Sequence, residues 1–264
     1  MNFKITKAAI LVLFLVSCAK VPITDRKQVN LLPESQLVSL SLTNYRDFLH
    51  EHPAVTSGSD MDMVKRVGIK IQSAVTQYMN KNGFAKRIEG YKWEFNLVNS
   101  PEVNAWCMPG GKVVVYSGLL PVTQDEGSLA MVMGHEIAHA VARHGNERMS
   151  QMMMAAGGGL LLDVALSQKP EQTRTMFMTA YGVGAGLGTL AYSRTHESEA
   201  DKLGLVFAAM AGYDPHIAVG FWERMAAKGG AKPPELLSTH PSDQRRIADI
   251  KAYMPTAMKY YKPS

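Results

Sequence analysis

Between Ser59 and Asn82 the apolar residues Val64, Val67, Ile71, Ala74, Val75 and Tyr78 recur every three or four positions. That spacing gives a helix one apolar face. Ser59, with Asp60 and Asp62, suits the start of this helix, and Asn82-Gly83 suits its end. An earlier helix is expected from Pro33-Glu34 to about His50, because proline is tolerated in a first turn. The period then shortens to two. Trp93–Val98 (WEFNLV) alternates and predicts a strand, Val103–Met108 a second and Lys112–Tyr116 (KVVVY) a third, with Pro109-Gly110-Gly111 turning between the last two. Beyond this point the pattern is helical again. Asp125-Glu126 opens a long helix to roughly Met149, acids being favourable at a helix N-terminus. Further helices are expected over Ser193–Met210, from Asp214-Pro215 to about Lys228, and over Pro241–Met254, with a loop at Gly229–Pro234. Helices, a small sheet and more helices make an α+β, mostly helical chain.

Two stretches, 152–166 and 176–192, are apolar and rich in Gly, Ala and Met. Asp163 interrupts the first, and both are shorter than the roughly 20 residues a spanning helix needs. Packed helices are expected there, with a membrane-dipping or client-binding surface as the alternative.

The first residues form an address instead of a fold. Met1–Lys7 carry two lysines and no acid, Ala8–Val16 are wholly apolar, and Leu15-Val16-Ser17-Cys18 follows. A basic head, a short apolar core and small residues at the cut describe an export signal over residues 1–17. Leu-x-Ser-Cys resembles a bacterial lipobox, in which Cys18 becomes the acylated first residue; an ordinary signal peptide is the alternative. Ala19, not Asp, follows the cysteine. By the sorting rule of Gram-negative lipoproteins, this points to the periplasmic face of the outer membrane. Residues 18–32 are expected to be an extended lead from the anchor, and residues 33–264 a single domain.

Charge excludes one class of partner. The whole chain carries 28 Lys+Arg against 23 Asp+Glu; without residues 1–17, which hold Lys4 and Lys7, the balance is 26 against 23, or +3. No long Lys/Arg run is present, so a nucleic-acid surface is not expected. Cys18 and Cys107 are the two cysteines. An acylated Cys18 leaves Cys107 without a disulfide partner, so the fold must rest on its core or a metal. Cys107 is expected to be a small buried hydrophobe, with a redox or metal role as the alternative.

The chemistry centres on VMGHEIAHAVARHG, Val132–Gly145. Residues four apart lie on one helical face, so His135 and His139 can turn ring nitrogens to one ion, and Glu136 can hold and deprotonate a water beside it. Imidazole ligands and a hydrolytic base suit zinc. Gly134 and Ala138 leave room for close packing. A catalytic zinc wants a third protein ligand. SRTHESEAD, Ser193–Asp201, offers Glu197 and Asp201, again four apart: Glu197 as ligand, Asp201 as acceptor for a ligand histidine's second nitrogen. His196 is the alternative ligand. Glu199, about 200° round the helix from Glu197, is expected to face solvent or pair elsewhere. His144, five residues past His139, falls off the ligand face and is expected to be structural. Arg194 and Arg245 are candidates to pair acids such as Asp201. His50, His52 and His216 suggest no partner.

HEIAH followed by ESEAD resembles the Glu-zincin metallopeptidases of family forty-eight. Asn104–Gly111 (NAWCMPGG) is similar to that family's N-A-x-x-x-P-G-G element, and KVVVYSGLL to the strand and turn after it. Pro22–Gln28 (PITDRKQ) is similar to its T-G-R-x-Q lead, with Asp25 in place of glycine. Ser238–Ile247 (STHPSDQRRI) is similar to its T-H-P-x-x-x-x-R-I element. The likeness runs through almost the whole chain after residue 17. It implies a zincin-type domain holding one zinc ion, with endopeptidase activity. The lipobox points to the family's periplasmic lipoprotein branch, BepA-like or LoiP-like, and so to misfolded or stalled outer-membrane proteins as substrates. A chaperone-like assembly factor with a silent zinc site is the alternative. The resemblance also implies that the strand holding Asn104, Ala105 and Trp106 is an exposed sheet edge lining the cleft, to which a substrate peptide adds. It sets His240 facing the cleft, where it assists the reaction, occupies the open zinc position as an off-switch, or merely caps the helix after Pro241.

Overall fold

The periodic apolar face of residues 59–81 is buried, with Val64, Val67, Ile71 and Val75 wholly inaccessible. The computed structural model describes residues 18–155, 170–181, 192–228, 234–240 and 244–263. The expected signal, residues 1–17, lies outside them, as do most of the two Gly/Met-rich stretches and Pro241. Strands β1 (Cys18–Lys20) and β2 (Lys27–Val29) precede helices α1 (Glu34–Glu51) and α2 (Ser59–Lys81). Then come β3 (Glu94–Val98), β4 (Ala105–Met108) and β5 (Lys112–Tyr116). Helices α3 (Leu120–Thr123), α4 (Glu126–Ala142), α5 (His144–Ala155), α6 (Pro170–Ala180), α7 (Arg194–Met210), α8 (Ile217–Ala227), α9 (Glu235–Thr239) and α10 (Gln244–Ala257) complete the order. The protein is mostly helical with a small three-stranded sheet. No helix among the described residues is long and apolar enough to cross a membrane.

The sheet has the order β3-β5-β4, β5 running parallel to β3 and antiparallel to β4. Gly110 and Gly111 both take positive φ between β4 and β5, a conformation that costs glycine little. β4 is therefore an edge strand, but its side chains are covered, unlike the exposed edge the sequence suggested. Asn104, Ala105 and Trp106 are 4%, 2% and 2% accessible. α4 packs on the sheet through β4, and on the other side Phe48 of α1 meets the Trp106 ring edge-on at 5.0 Å.

Two local departures from the expected pattern matter for the site. Residues 18–29, expected as an extended lead, fold into a hairpin in which Cys18 pairs with Val29 and Lys20 with Lys27. Asp25, standing where the resembling family has glycine, takes φ 52° in its turn. Val21 and Gln28 are almost fully buried, which docks the hairpin on the domain. The long helix expected to reach Met149 instead breaks at Arg143, whose φ of 62° ends α4 and lets α5 leave in a new direction.

Helix α4 begins at Asp125, whose carboxylate accepts from the Ser128 N–H at 2.6 Å, and α7 at Ser193, which accepts from His196 N–H at 3.2 Å. The two helices pack closely along each other. At their crossing a Cβ on Gly204 would stand 2.9 Å from the His135 main-chain nitrogen, and one on Gly134 would stand 3.0 Å from the Gly204 carbonyl oxygen. These neighbours are backbone and cannot swing aside. Alanine would improve helix propensity at position 204 by about 1 kcal/mol, but overpacking costs about 1–3 kcal/mol. Because the atoms met are backbone, the cost falls in the upper part of that range, about 2–3 kcal/mol. At a net loss of about 1–2 kcal/mol, Gly204→Ala is expected to lower the melting temperature by about 2–8 °C in a calorimetric scan. An unchanged or raised melting temperature would show that the helices can separate without cost.

Candidate metal centre

The crossing of α4 and α7 sets His135, Glu136 and His139 opposite Glu197 and Asp201. His135 Nε2 and His139 Nε2 lie 3.0 Å apart, and Glu197 carboxylate oxygens stand 3.4 and 3.3 Å from them. His240, from the end of α9, brings Nδ1 to 3.1 Å from His135 Nε2 and 3.0 Å from Glu197 Oε1. One donor atom from each of these four residues lies within 4.8 Å of all the others. Donors about 2.0–2.1 Å from a tetrahedral zinc are about 3.3 Å apart, so the set fits such an ion. All four residues are buried. So is Glu136, whose Oε1 has no hydrogen-bond partner among the described residues and lies 3.6 Å from His240 Nε2.

Of the two candidates for the third ligand, Glu197 joins the cluster and His196 does not. His196 Nε2 instead meets Glu147 Oε2 at 3.1 Å. Asp201 Oδ1 lies 2.9 Å from His135 Nδ1, which leaves Nε2 free to face the cluster. Arginine pairing corrects one expectation. Arg194 and Arg245 are exposed, and it is Arg246 that donates to both Asp201 oxygens, at 2.8 and 2.7 Å. Its Nη1 also lies 2.9 Å from Glu197 Oε2 and donates to the His240 carbonyl at 3.2 Å. The helical register held this information: Arg246 shares the buried face of α10 with Ile247, Ile250 and Met254.

Most charge states suit a metal centre. The exception is His135: burial alone would lower it, but Glu197 and Asp201 hold it above its ordinary value, so that an ion would have to displace its proton. Burial alone would raise the Glu197 carboxyl, but His240, Arg246 and His135 hold it well below the usual range. Asp201 is likewise held down against burial, by Arg246 and His135. Burial pushes His139 well below its ordinary value, favouring the neutral ring that can donate a lone pair. Burial also pushes Glu136 up to about 7, with His240 opposing, and a general base works best near the operating pH.

Several supporting groups had no signal in the spacing rules. Tyr192 stacks 5.1 Å from His240 and lies 4.0 Å from the His139 ring. Trp222 packs beside His135 and carries the Arg246 guanidinium 3.5 Å above its ring. Glu199, 3% accessible, does not face solvent. It is paired with Arg26 and with His144, which the break at Arg143 returns to the site behind His139. Cys107 is buried and burial holds its thiol protonated; it belongs to the core cluster. His50, His52 and His216 are exposed. A cavity of about 690 Å³ touches Glu197 and Asp201 from the side of α7 facing Tyr253, and Glu136 is not part of its lining.

The model of peptidase family M48 matches residues 68–254, a span that contains the whole cluster. The chain belongs to peptidase family M48. It is 38% identical over 178 residues to the mitochondrial metalloendopeptidase OMA1 of Arabidopsis thaliana, covering 67% of this chain and 34% of that protein. To the human mitochondrial metalloendopeptidase OMA1 it is 30% identical over 246 residues, covering 90% and 46%. To the β-barrel assembly-enhancing protease of Escherichia coli K12 it is 32% identical over 186 residues, covering 67% and 38%. The chain thus spans about a third to a half of these relatives' lengths. M48 peptidases are zinc-dependent, which agrees with the chemistry of the four donors.

Glu199 gives a pH signature. Burial alone would raise its carboxyl, but hydrogen bonds from His144, Arg26 and Thr24 hold it down at about 2, against 4.5 ordinarily. A carboxylate depressed on folding stabilises fully above its unfolded value and progressively less as pH falls through the folded one. In metal-free protein, the melting temperature of wild type is expected to exceed that of Glu199→Gln most above pH 5. The gap should narrow between pH 4.5 and 2. A gap constant across that range would contradict the assignment.

Proposed function

We propose that the protein is a zinc-dependent endopeptidase of the bacterial periplasm. It is tethered to the outer membrane through an acylated Cys18 and hydrolyses misfolded or stalled envelope proteins. The observation that carries the activity is the convergence of His135, His139 and Glu197 with Glu136 beside them. A zinc ion held there supplies Lewis acidity and lowers the pKa of water to about 7. Glu136, poised by burial, accepts the proton of the attacking water and returns it to the leaving amine. Asp201, backed by Arg246, holds His135 in its ligating tautomer. Asn104, Ala105 and Trp106 of β4 are 2–4% accessible, so a substrate chain would add to this edge, backbone to backbone, only once the cover over it has moved.

The lipobox and the name of the Escherichia coli relative support the location and substrate class. Acylation can be checked directly: wild type is expected to incorporate labelled palmitate and to fractionate with the outer membrane, and Cys18→Ser to do neither.

His240 acts as an off-switch in this reading, because its Nδ1 stands in the fourth corner of the donor set. His135, His139 and Glu197 would still hold the ion after His240 withdrew, and water and substrate would then have access to it. A second reading, a chaperone-like assembly factor with a silent site, draws on the same closure. Casein cleavage by zinc-loaded protein separates them. Glu136→Gln should lower the rate by about 10²–10⁴-fold, while His240→Ala should raise it above wild type. Stoichiometric zinc with no cleavage by wild type or His240→Ala, and client folding indifferent to Glu136→Gln, would leave the assembly factor. A rate lost in His240→Ala would assign His240 to transition-state stabilisation instead.

A further inference from the structure

The two ligand histidines are braced differently. His135 rests directly on Asp201, whereas His139 meets no carboxylate at its second nitrogen among the described residues. Its Nδ1 lies 3.0 Å from Nδ1 of His144, and His144 Nε2 lies 3.1 Å from Glu199 Oε2. Glu199 in turn receives Thr24 Oγ1 at 2.7 Å, Arg26 Nε at 2.8 Å and Arg26 Nη2 at 2.9 Å. Arg26 also forks onto Glu147, both bonds 2.7 Å. Gln28 donates to Glu147 at 3.2 Å, and Arg87 holds the hairpin by donating to Gln28 Oε1 at 2.9 Å.

We propose that the β1–β2 hairpin is a working part of the metal centre, with Arg26, Glu199 and His144 acting as positioning residues for the ligand His139. The inference rests on the zinc reading of the four-donor cluster. Donor roles along the chain are fixed in one direction. For Nε2 of His139 to offer its lone pair to a cation, the ring proton must sit on Nδ1. Nδ1 of His144 must then accept, so its own proton sits on Nε2 and goes to Glu199. Glu199 accepts only, and the guanidinium and Thr24 hydroxyl that donate to it hold both of its oxygens in place. Reversing any link would put two protons or two lone pairs face to face. Each ligand histidine therefore ends on a carboxylate and an arginine. For His135 these come from α7 and α10. For His139 one more imidazole intervenes, and the arginine comes from the hairpin that follows Cys18.

Burial shows why the device needs the hairpin. His144 is 0% and Glu199 3% accessible, while Arg26 sits at the boundary, its side chain 28% accessible. It is the cation that bridges Glu147 and Glu199. Without it the two carboxylates face each other beside His144 and His196, and Glu199 loses two of its four donors. The hairpin that follows Cys18 is thereby connected to the ligand His139 through three residues, Arg26, Glu199 and His144.

The test uses the full-length protein and competition with a zinc-buffering chelator, read beside the visible spectrum of the cobalt-substituted form. Wild type is expected to hold one zinc per chain. Arg26→Met and His144→Phe should weaken zinc binding by about 10–100-fold, the usual effect of losing such an outer partner, and shift the cobalt bands. His144→Asn, which keeps an acceptor for the His139 N–H, should recover most of the affinity lost in His144→Phe. Melting temperatures of the metal-free variants separate this from general loosening. Wild-type affinity and an unchanged cobalt spectrum in Arg26→Met and His144→Phe, whatever their melting temperatures, would overturn the proposal. So would equal losses in His144→Asn and His144→Phe. A wild type that binds no zinc would remove the metal reading itself, and that outcome is distinct from either.

Discussion

Everything at the site depends on how closely α4 and α7 approach at Gly134 and Gly204. Main chain meets main chain there without intervening side chains. The histidines of one helix and the carboxylates of the other therefore share one plane of contact. Interhelical distances commonly run 8–10 Å according to the side chains at the contact. Larger residues at these two positions would move Glu197 away from His135 and His139 by more than a metal–ligand bond tolerates. The glycines belong to the metal chemistry as much as to the fold.

The second constraint is electrostatic. Glu136, Glu197, Asp201 and Glu199 are all nearly inaccessible, and burying unpaired carboxylates is costly. Two arginines relieve this cost from opposite sides. Arg246 lies over Trp222 between Asp201 and Glu197, and Arg26 bridges Glu199 and Glu147. Glu136 alone has no arginine partner, and burial accordingly raises it to about 7. The residue assigned to proton transfer is thus the one carboxylate kept near neutrality, while its neighbours stay charged.

The parts legible in the sequence were those governed by short periods. Two four-residue spacings, His135 to His139 and Glu197 to Asp201, found the cluster because a helix turns them onto one face. The strands around Pro109-Gly110-Gly111 were legible for a similar reason. What escaped was set by tertiary packing or by unusual backbone. Arg143 carries no helix-breaking side chain, so its left-handed conformation and the return of His144 left no trace in the pattern. Glu199 could be read only as solvent-facing or paired elsewhere, because nothing in its own helix announced the hairpin with which it pairs. Three-residue strands are too short to show alternation, so that hairpin was expected as an extended lead. Arg246 was separable from Arg245 through the apolar register of the last helix and through the R-I of the T-H-P-x-x-x-x-R-I element, which falls on Arg246-Ile247.

The central claim is that His135, His139, Glu197 and, at rest, His240 form one zinc centre. X-ray absorption at the zinc edge of purified protein tests it most directly. The account predicts one zinc per chain, surrounded only by nitrogen and oxygen at about 2.0–2.1 Å, with the imidazole scattering reduced by one ring in His240→Ala. A sulfur neighbour at about 2.3 Å, which would implicate Cys107, or a failure to retain stoichiometric zinc, would contradict it.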